Sequence, residues 1–219
     1  IKDLVDETYP QRPASMYGLS KKIGEELVFG YHRMHGIPIV IFRFAFVIGA
    51  GEILNKVYYP FFYADYWINA LKQVKEKNEE IVSAIKLLED EIGNKETLLI
   101  PYDMEGHVHY HQLVDVRDIV QGIILGLEKD SAIGEAFNLA ESKPFSYEEV
   151  VPYLSEKLNV PYIKARLPLR ARYYNISIEK AKNLLGYTPR YSVFDMIDSA
   201  IEFRKGKDLG LVERGKPRV

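Results

Sequence analysis

The sequence predicts an α/β protein built around a parallel sheet, and three features indicate this class. Apolar residues recur at helical spacing from residue 14 to 35. Residues 37–42 follow as a short apolar run rich in β-branched side chains, which is typical of a buried parallel strand. Residues 109–128 repeat the alternation, with a strand pattern that leads into a helix pattern. With 219 residues and 47% hydrophobic content, the chain can form one large domain or two small ones.

The composition excludes several classes of function. The formal net charge is -2 with both signs interspersed, so the chain lacks the basic surface that nucleic acid requires. There is no cysteine, which excludes disulfides, thiolate metal sites and a cysteine nucleophile. No apolar run approaches the ~20 residues that cross a bilayer. We therefore expect a cytoplasmic protein that binds neither nucleic acid nor membrane.

The first half of the chain predicts these elements in order. Pro10 and Pro13 favour a loop, Ser15 is the predicted cap of the helix over 14–35, and Gly36 ends that helix. A tight loop with two glycines follows the strand at 49–51. Residues 58–92 begin with clustered aromatic side chains and continue as one long helix, or as two helices with a break near Asn78.

The second half predicts strands at 96–100, 134–140 and 160–167. Asp118 is the expected cap of the helix that ends at Glu128. Ser146 and Glu149 form a predicted capping box that opens a helix running to residue 159. Two further helices are expected over 177–185 and 192–204, followed by a charged tail over 206–219.

Tyr17 and Lys21 are the first candidates for catalysis, because residues four apart on a helix share one face. A free tyrosine ionises near pH ~10, so it acts as a base at neutral pH only where a nearby positive charge favours the phenolate. Such a tyrosine can take a proton from a substrate hydroxyl while a hydride leaves the same carbon. With 16 tyrosines in the chain, the spacing alone fits an ordinary exposed helical pair equally well.

The surrounding motifs distinguish these alternatives. The stretch Glu7-x-x-Pro10-x-x-Pro13-x-Ser15-x-Tyr17-Gly18-x-Ser20-Lys21-x-x-x-Glu25 resembles the extended short-chain dehydrogenase/reductases. Arg43-x-x-x-Val47-x-Gly49-x-Gly51, Gly134-x-x-x-Asn138-Leu139 and Leu185-Gly186-Tyr187-x-Pro189 continue the similarity to about residue 203. The chain is most similar to the NAD-dependent epimerase/dehydratase family, whose usual substrates are nucleotide sugars.

The resemblance implies a fold and a division into domains. It implies the C-terminal part of a Rossmann-like parallel sheet together with a smaller α/β substrate-binding domain. Residues 1–50 and 108–130 would belong to the cofactor domain. Residues 51–107 and 131–205 would form the substrate domain, with a long helical insertion near 58–92 and a homodimer as the assembly.

The resemblance also implies roles for individual residues. Tyr17 would be the catalytic acid and base, and Lys21 would hold the nicotinamide ribose of NAD or NADP. Phe44 would lie beside the cofactor. The residues implied on the side of the nucleotide-sugar substrate are Phe46, His111, Asn138 and Arg172.

Two of these residues depart from the family pattern. Phe46 stands where the family usually has asparagine, and His111 where many relatives have a phosphate-binding arginine. Arg172 belongs to a run with Arg166 and Arg170 whose guanidinium forks suit a diphosphate, although arginines in loops are often only solvated. The departures leave open an alternative, a reductase that acts on a substrate without a nucleotide.

No glycine-rich turn of the Gly-x-x-Gly-x-x-Gly type follows a strand in these residues. We therefore expect the chain to be the C-terminal two-thirds of an enzyme and to be inactive alone, without measurable affinity for NAD or NADP. A redox-inactive binding or scaffolding relative is the third alternative. His107, His109 and His111 alternate along a predicted strand, but a polar strand end explains them better than a metal site.

Overall fold

A computed structural model describes residues 4–211, and within this range the chain forms eight short strands and seven α-helices. The elements in order are α1 (Met16–His35), β1 (Val40–Phe44), β2 (Phe46–Ile48), α2 (Ala64–Lys72), α3 (Glu79–Ile92), β3 (Leu98–Tyr102), β4 (Tyr110–His111), β5 (Leu113–Asp115), α4 (Val116–Glu128), β6 (Glu135–Leu139), β7 (Phe145–Ser146), α5 (Tyr147–Leu158), β8 (Tyr162–Arg166), α6 (Glu179–Leu185) and α7 (Val193–Arg204). The predicted α/β class is confirmed. Of the predicted tail, residues 212–219 lie outside the described range.

Parallel pairing dominates the strands. β1 pairs with β6, β2 with β5, and β3 with β8, all in parallel, whereas the short β4 and β7 are antiparallel. Ala45 separates β1 from β2, and its N–H donates to the carbonyl of Leu139 at 2.9 Å, so β6 is held against this strand to its last residue. The predicted parallel sheet is therefore present along residues 40–48.

Helix α1 begins and ends as predicted. The Ser15 hydroxyl accepts from the N–H of Gly18 at 3.1 Å, and Gly36 closes the helix in the left-handed conformation with φ 67°. None of its residues is buried. A stripe of exposed apolar side chains runs along its length: Met16, Leu19, Ile23, Leu27, Tyr31 and Met34. No helix described within residues 4–211 is both long and apolar enough to cross a bilayer.

Helix α4 begins one turn earlier than its predicted cap, so the assignment of Asp118 was wrong. Asp115 is the cap and accepts from the N–H of Arg117 at 2.8 Å. The buried Asp118 carboxylate instead accepts from the N–H groups of Arg190 and Tyr191 at 2.9 and 3.1 Å. It therefore ties the chain before α7 to α4, which is a contact between residues far apart in sequence.

The insertion near 58–92 forms two helices, which is the second of the two predicted alternatives. The break lies where expected, because the Asn78 side chain caps α3 by accepting from the N–H of Ile81 at 2.9 Å. Ile81, Leu88 and Ile92 of α3 are buried in the same core as Leu71 of α2. The insertion is thus part of the folded core rather than an appendage.

Two hydrophobic cores lie within the described residues. The larger one contains buried side chains of α2, α3, β3, α5 and α7, and the smaller one those of β5, β6, α4 and α6. The predicted boundaries placed residues 131–205 in the substrate domain. Yet β6 pairs with β1, and α6 packs against α4 and β6, so these two elements adjoin the predicted cofactor domain.

Two buried polar residues join the segments that meet between these cores. The Glu141 carboxylate accepts from the N–H groups of Leu113 and Val193 at 3.1 and 3.2 Å. The Gln112 amide donates to the carbonyls of Glu141 and Ile176 at 2.8 and 3.2 Å, and its oxygen accepts from the N–H of Ile176 at 2.6 Å. Four separate segments are therefore fixed by two side chains.

Close packing of α4 on the sheet generates a first prediction. A methyl group at Gly126 would lie 3.2 Å from Cε1 of Phe42 and closer still to its Cζ. We expect Gly126→Ala to lower the free energy of unfolding by about 1–3 kcal/mol, because the Phe42 ring must move. Gly24, on an open face of α1, is the control, since Gly24→Ala should raise that free energy by about 0.5–1 kcal/mol. Urea unfolding measures both, and equal effects would contradict the packing argument.

Glu141 generates a prediction about pH. Burial raises the pKa of Glu141 from its usual 4.5 to about 8, although two backbone N–H groups oppose the shift. A carboxyl group whose pKa is raised on folding stabilises the protein below its unfolded pKa, and this stability is lost as the pH rises towards the folded pKa. We expect the unfolding free energy to fall between about pH 4.5 and 8.

Glu141→Gln should remove this part of the pH dependence, because the amide does not ionise. The exposed Glu156 of α5 is the control, since Glu156→Gln should leave the slope unchanged. Urea unfolding at several pH values measures the slopes. An unaltered slope in Glu141→Gln would show that another group titrates.

Candidate active site

Tyr17 and Lys21 lie on one face of α1, as their spacing predicts. The Lys21 ammonium is 5.2 Å from the centroid of the Tyr17 ring. Tyr17 is 74% exposed, so its hydroxyl is open to a ligand. The Lys21 ammonium therefore lies over the face of the Tyr17 ring, on the same side of α1.

Lys21 lines a cavity of about 350 Å³. The other lining residues come from the loop before α1, from α1 and from β1: Gln11, Arg12, Pro13, Gly18, Lys22, Glu25 and Arg43. Tyr17 lies one turn away on the same helix and does not line this cavity. The cavity thus places Lys21, but not Tyr17, beside a space that a ligand can enter.

Arg43 fixes the position of α1 against the sheet. Its guanidinium forms an ion pair with Glu25 of α1 and donates to the carbonyl of Glu7 at 2.7 Å. The hydrogen bond from Arg43 lowers the pKa of Glu25 below its usual value, against the effect of burial. Arg43 of the sequence motif therefore links β1 to α1 and to the loop before α1.

A second, larger cleft of about 1330 Å³ shares no lining residue with the first cavity. It is lined by the first turn of α3, by the turn after β3 and by the segment after β8: Asn78, Glu80, Asp103, Met104, Glu105, His107, Val108, Tyr110, Pro168, Leu169, Arg170, Ala171, Arg172 and Tyr173. Arg172, predicted on the substrate side, is among them. We call this the arginine cleft.

The arginine cleft combines free guanidinium groups with aromatic rings. Within residues 4–211, no ion pair or hydrogen bond engages the side chain of Arg170 or Arg172. The rings of Tyr110 and Tyr173 are 4.8 Å apart at their centroids. The N–H of Tyr110 donates to the carbonyl of Arg172 at 2.8 Å, which fixes the arginine segment against β4. Sequence reasoning missed both tyrosines, because they become neighbours only through this pairing.

His111 and Phe46 lie together in an aromatic cluster that does not line the arginine cleft. Nδ1 of His111 is 2.6 Å from the Tyr59 hydroxyl, and Phe46 makes edge contacts with Tyr59 and Phe61. Burial, and secondarily the charge of Arg172, lowers the pKa of His111 to about 4, so the ring is neutral at pH 7. The structure therefore gives His111 no charge with which to replace a phosphate-binding arginine.

Asn138 and Phe44, the remaining predicted site residues, lie on β6 and β1. Asn138 is only 4% exposed, and its amide donates to the carbonyls of Val5 and Ser177 at 3.2 Å each. It holds the loop before α1 and lines neither cavity. Phe44 is half-exposed and stacks on Phe42 at 6.4 Å. The structure does not bring these two side chains to Arg172.

The three histidines do not form one cluster. His109 is buried, and its Nδ1 accepts from the N–H of Arg172 at 3.4 Å. His107 instead lies near the carboxylates of Asp103 and Glu105, at 3.1 and 3.5 Å. The Asp103 carboxylate also accepts from the N–H groups of Glu105 and His107, and these hydrogen bonds close the turn around Gly106. Such a turn explains the group without a metal ion.

The α/β fold with parallel strand pairs, and with Tyr17 and Lys21 four residues apart on one helix, is that of the short-chain dehydrogenase/reductase class. Residues 2–140 match the NAD dependent epimerase/dehydratase family, which is more than half of the chain. The chain belongs to this family.

Relatives of known structure support the fold over nearly the whole chain. A short-chain dehydrogenase/reductase superfamily protein from Agrobacterium tumefaciens with bound NAD is 27% identical, with a TM-score of 0.78, over 93% of this chain and 62% of that one. UDP-glucuronic acid 4-epimerase from Bacillus cereus in complex with NAD is 25% identical, with a TM-score of 0.61, over 94% of this chain and 57% of that one.

A curated relative of named activity aligns with the same region. UDP-glucose 4-epimerase of Streptomyces lividans is 23% identical over 213 residues, which cover 95% of this chain and 60% of that protein. The chain spans about half the length of the curated relatives that it matches along most of its residues, 47% to 60%.

Proposed function

We propose that the protein carrying this chain is an NAD-dependent epimerase that acts on a nucleotide sugar, with Tyr17 as the acid and base. The observation that supports it most is the arginine cleft, because two unpaired guanidinium groups beside two aromatic rings suit a nucleoside diphosphate. Membership of the NAD-dependent family and the relatives that act on UDP-sugars agree with this reading. A dehydratase acting on a nucleotide sugar would use the same residues.

The residues around the smaller cavity fit the nicotinamide end of NAD or NADP. In the described chain the Lys21 ammonium has no ion-pair partner, so it is free to donate to ribose hydroxyls. NAD would supply the chemistry of accepting and returning a hydride. Tyr17 would take the hydroxyl proton from the substrate and later return it, with the Lys21 charge stabilising the phenolate between these steps. Phe44 stays the proposed neighbour of the cofactor.

The substrate side of the proposal depends mainly on Arg172. Its planar guanidinium can bind two diphosphate oxygens at once, whereas a lysine would offer a point charge. Arg170 would add a second positive charge, and Tyr110 and Tyr173 would pack against the base. The proposed contacts of Phe46, His111 and Asn138 with substrate have less support, because none of the three lines the arginine cleft.

A reductase that acts on a substrate without a nucleotide is the second candidate. It is favoured by one observation, the uncharged aromatic cluster of Phe46, Tyr59, Phe61 and His111, in which Phe46 and His111 replace the polar residues of the family pattern. The two candidates differ in what they require of the arginine cleft. The reductase needs no diphosphate contact there.

The proposal includes a homodimer in the cytoplasm. Its support is the apolar stripe on α1, because six exposed apolar side chains along one helix favour association with another apolar surface. The interspersed surface charges and the net charge of -2 agree with a cytoplasmic enzyme.

The role of Tyr17 predicts a specific loss of turnover. In the full-length protein, Tyr17→Phe should lower the rate of UDP-sugar epimerisation by about 10²–10⁴-fold, because the proton can no longer be transferred. UDP affinity should stay unchanged. Tyr31→Phe, on the same helix and also exposed, is the matched control. A Tyr17→Phe variant with the rate of the wild type would contradict the assignment.

The role of Arg172 predicts a loss of nucleotide affinity. Charge-assisted hydrogen bonds contribute about 1.5–3 kcal/mol, so Arg172→Ala should weaken UDP binding by about 10- to 100-fold. Arg172→Lys should keep only part of the wild-type affinity for UDP, and the affinity for NAD should not change in either variant. Arg33→Ala, at an exposed position at the end of α1, controls for the lost charge. Calorimetric titration measures these affinities, and equal values in all variants would favour the reductase.

A further inference from the structure

We propose that the helical insertion takes part in substrate recognition, with the Glu80 carboxylate of α3 accepting hydrogen bonds from the ribose hydroxyls of the bound nucleoside diphosphate. This inference rests on the proposed function. The structural observation behind it is that Asn78 and Glu80 line the arginine cleft together with Arg170 and Arg172. The insertion thus contributes directly to the surface that would hold the nucleotide.

Glu80 is the available carboxylate in this cleft. Among residues 4–211, three acidic side chains line it, and two of them have partners. Asp103 accepts from the N–H groups of its own turn, and Glu105 lies 3.5 Å from Nδ1 of His107. For Glu80, the described part of the chain provides no hydrogen bond or ion pair, so both carboxylate oxygens can accept from a ligand.

The chemistry of Glu80 suits a ribose better than the other parts of a nucleotide. An ionised carboxylate only accepts hydrogen bonds and has two oxygens, and a vicinal diol presents two O–H donors at matching spacing. Carboxylates hold ribose hydroxyls in the same way in dinucleotide-binding proteins. A diphosphate would be repelled by Glu80 and attracted by Arg170 and Arg172. The charges therefore orient the ligand, with its phosphates at the arginines and its ribose at α3.

The position of Glu80 is fixed by its neighbours in α3. Asn78 caps the helix through the N–H of Ile81, and the Ile81 side chain is buried in the larger core. Glu80 lies between these two anchored residues, so its backbone needs little ordering when a ligand binds. The preceding residue, Glu79, carries the same charge in the same turn and does not line the cleft.

The test compares UDP with 2′-deoxy-UDP, which differ by one hydroxyl, in calorimetric titrations of the full-length protein. Loss of a hydrogen bond to an exposed charged group should make the wild type bind UDP about five- to tenfold more tightly than 2′-deoxy-UDP. Glu80→Ala should abolish this preference, so that UDP and 2′-deoxy-UDP bind equally, because neither the 2′- nor the 3′-hydroxyl then has a carboxylate acceptor. Glu79→Ala is the matched control and should keep the preference of the wild type.

Each outcome separates the inference from the function on which it rests. If the wild type binds UDP and Glu80→Ala keeps the same ratio of affinities, α3 does not contact the ribose and the inference is overturned. If Glu79→Ala and Glu80→Ala lose the preference for UDP over 2′-deoxy-UDP equally, the preference comes from the general negative charge of α3. That result also overturns the inference. If the wild type binds no UDP, the proposed function fails and the inference fails with it.

Discussion

The hydrogen bonds of Gln112 and Glu141 are the constraint on which the arrangement of the described chain depends. Each residue is nearly fully buried, and together they bind main-chain groups of β5, of the segment after β6, of the chain before α6 and of the start of α7. A buried polar group without a partner is costly, so arrangements of the four segments that break these bonds are disfavoured. Neither hydrophobic core could specify this arrangement alone, because apolar contacts lack direction.

The same junction also holds the segment that carries Arg170 and Arg172 of the arginine cleft. The Gln112 side chain binds both the N–H and the carbonyl of Ile176. Two residues before Gln112, the N–H of Tyr110 donates to the carbonyl of Arg172. His109 adds a contact to the N–H of Arg172. The segment carrying both arginines is therefore held against β4 by main-chain bonds, which leaves the guanidinium groups themselves unpaired. Pre-organisation of this kind lowers the entropic cost of binding.

Local interactions explain how much the sequence predicts. The predicted cap at Ser15, the predicted break near Asn78 and the predicted capping box of Ser146 all depend on hydrogen bonds within three positions, so short motifs specify them. Asp118 failed as a cap because its partners lie 72 and 73 residues away.

The candidate site residues likewise fall into a local group, which the sequence predicts, and a group brought together by distant segments, which it does not. Tyr17 and Lys21 share a helix face and were predictable from four residues of spacing. Tyr110, Tyr173 and Glu80 were not predictable, since three distant segments bring them to one cleft.

The packing of helix α3 bears on how fast a ligand could leave the arginine cleft. The first turn of α3 borders this cleft, while Ile81, Leu88 and Ile92 are packed in the core. Widening the cleft by moving α3 would disturb these packed side chains, so we expect this rim to resist opening. Slow opening prolongs the residence time of a bound ligand without adding any contact to it.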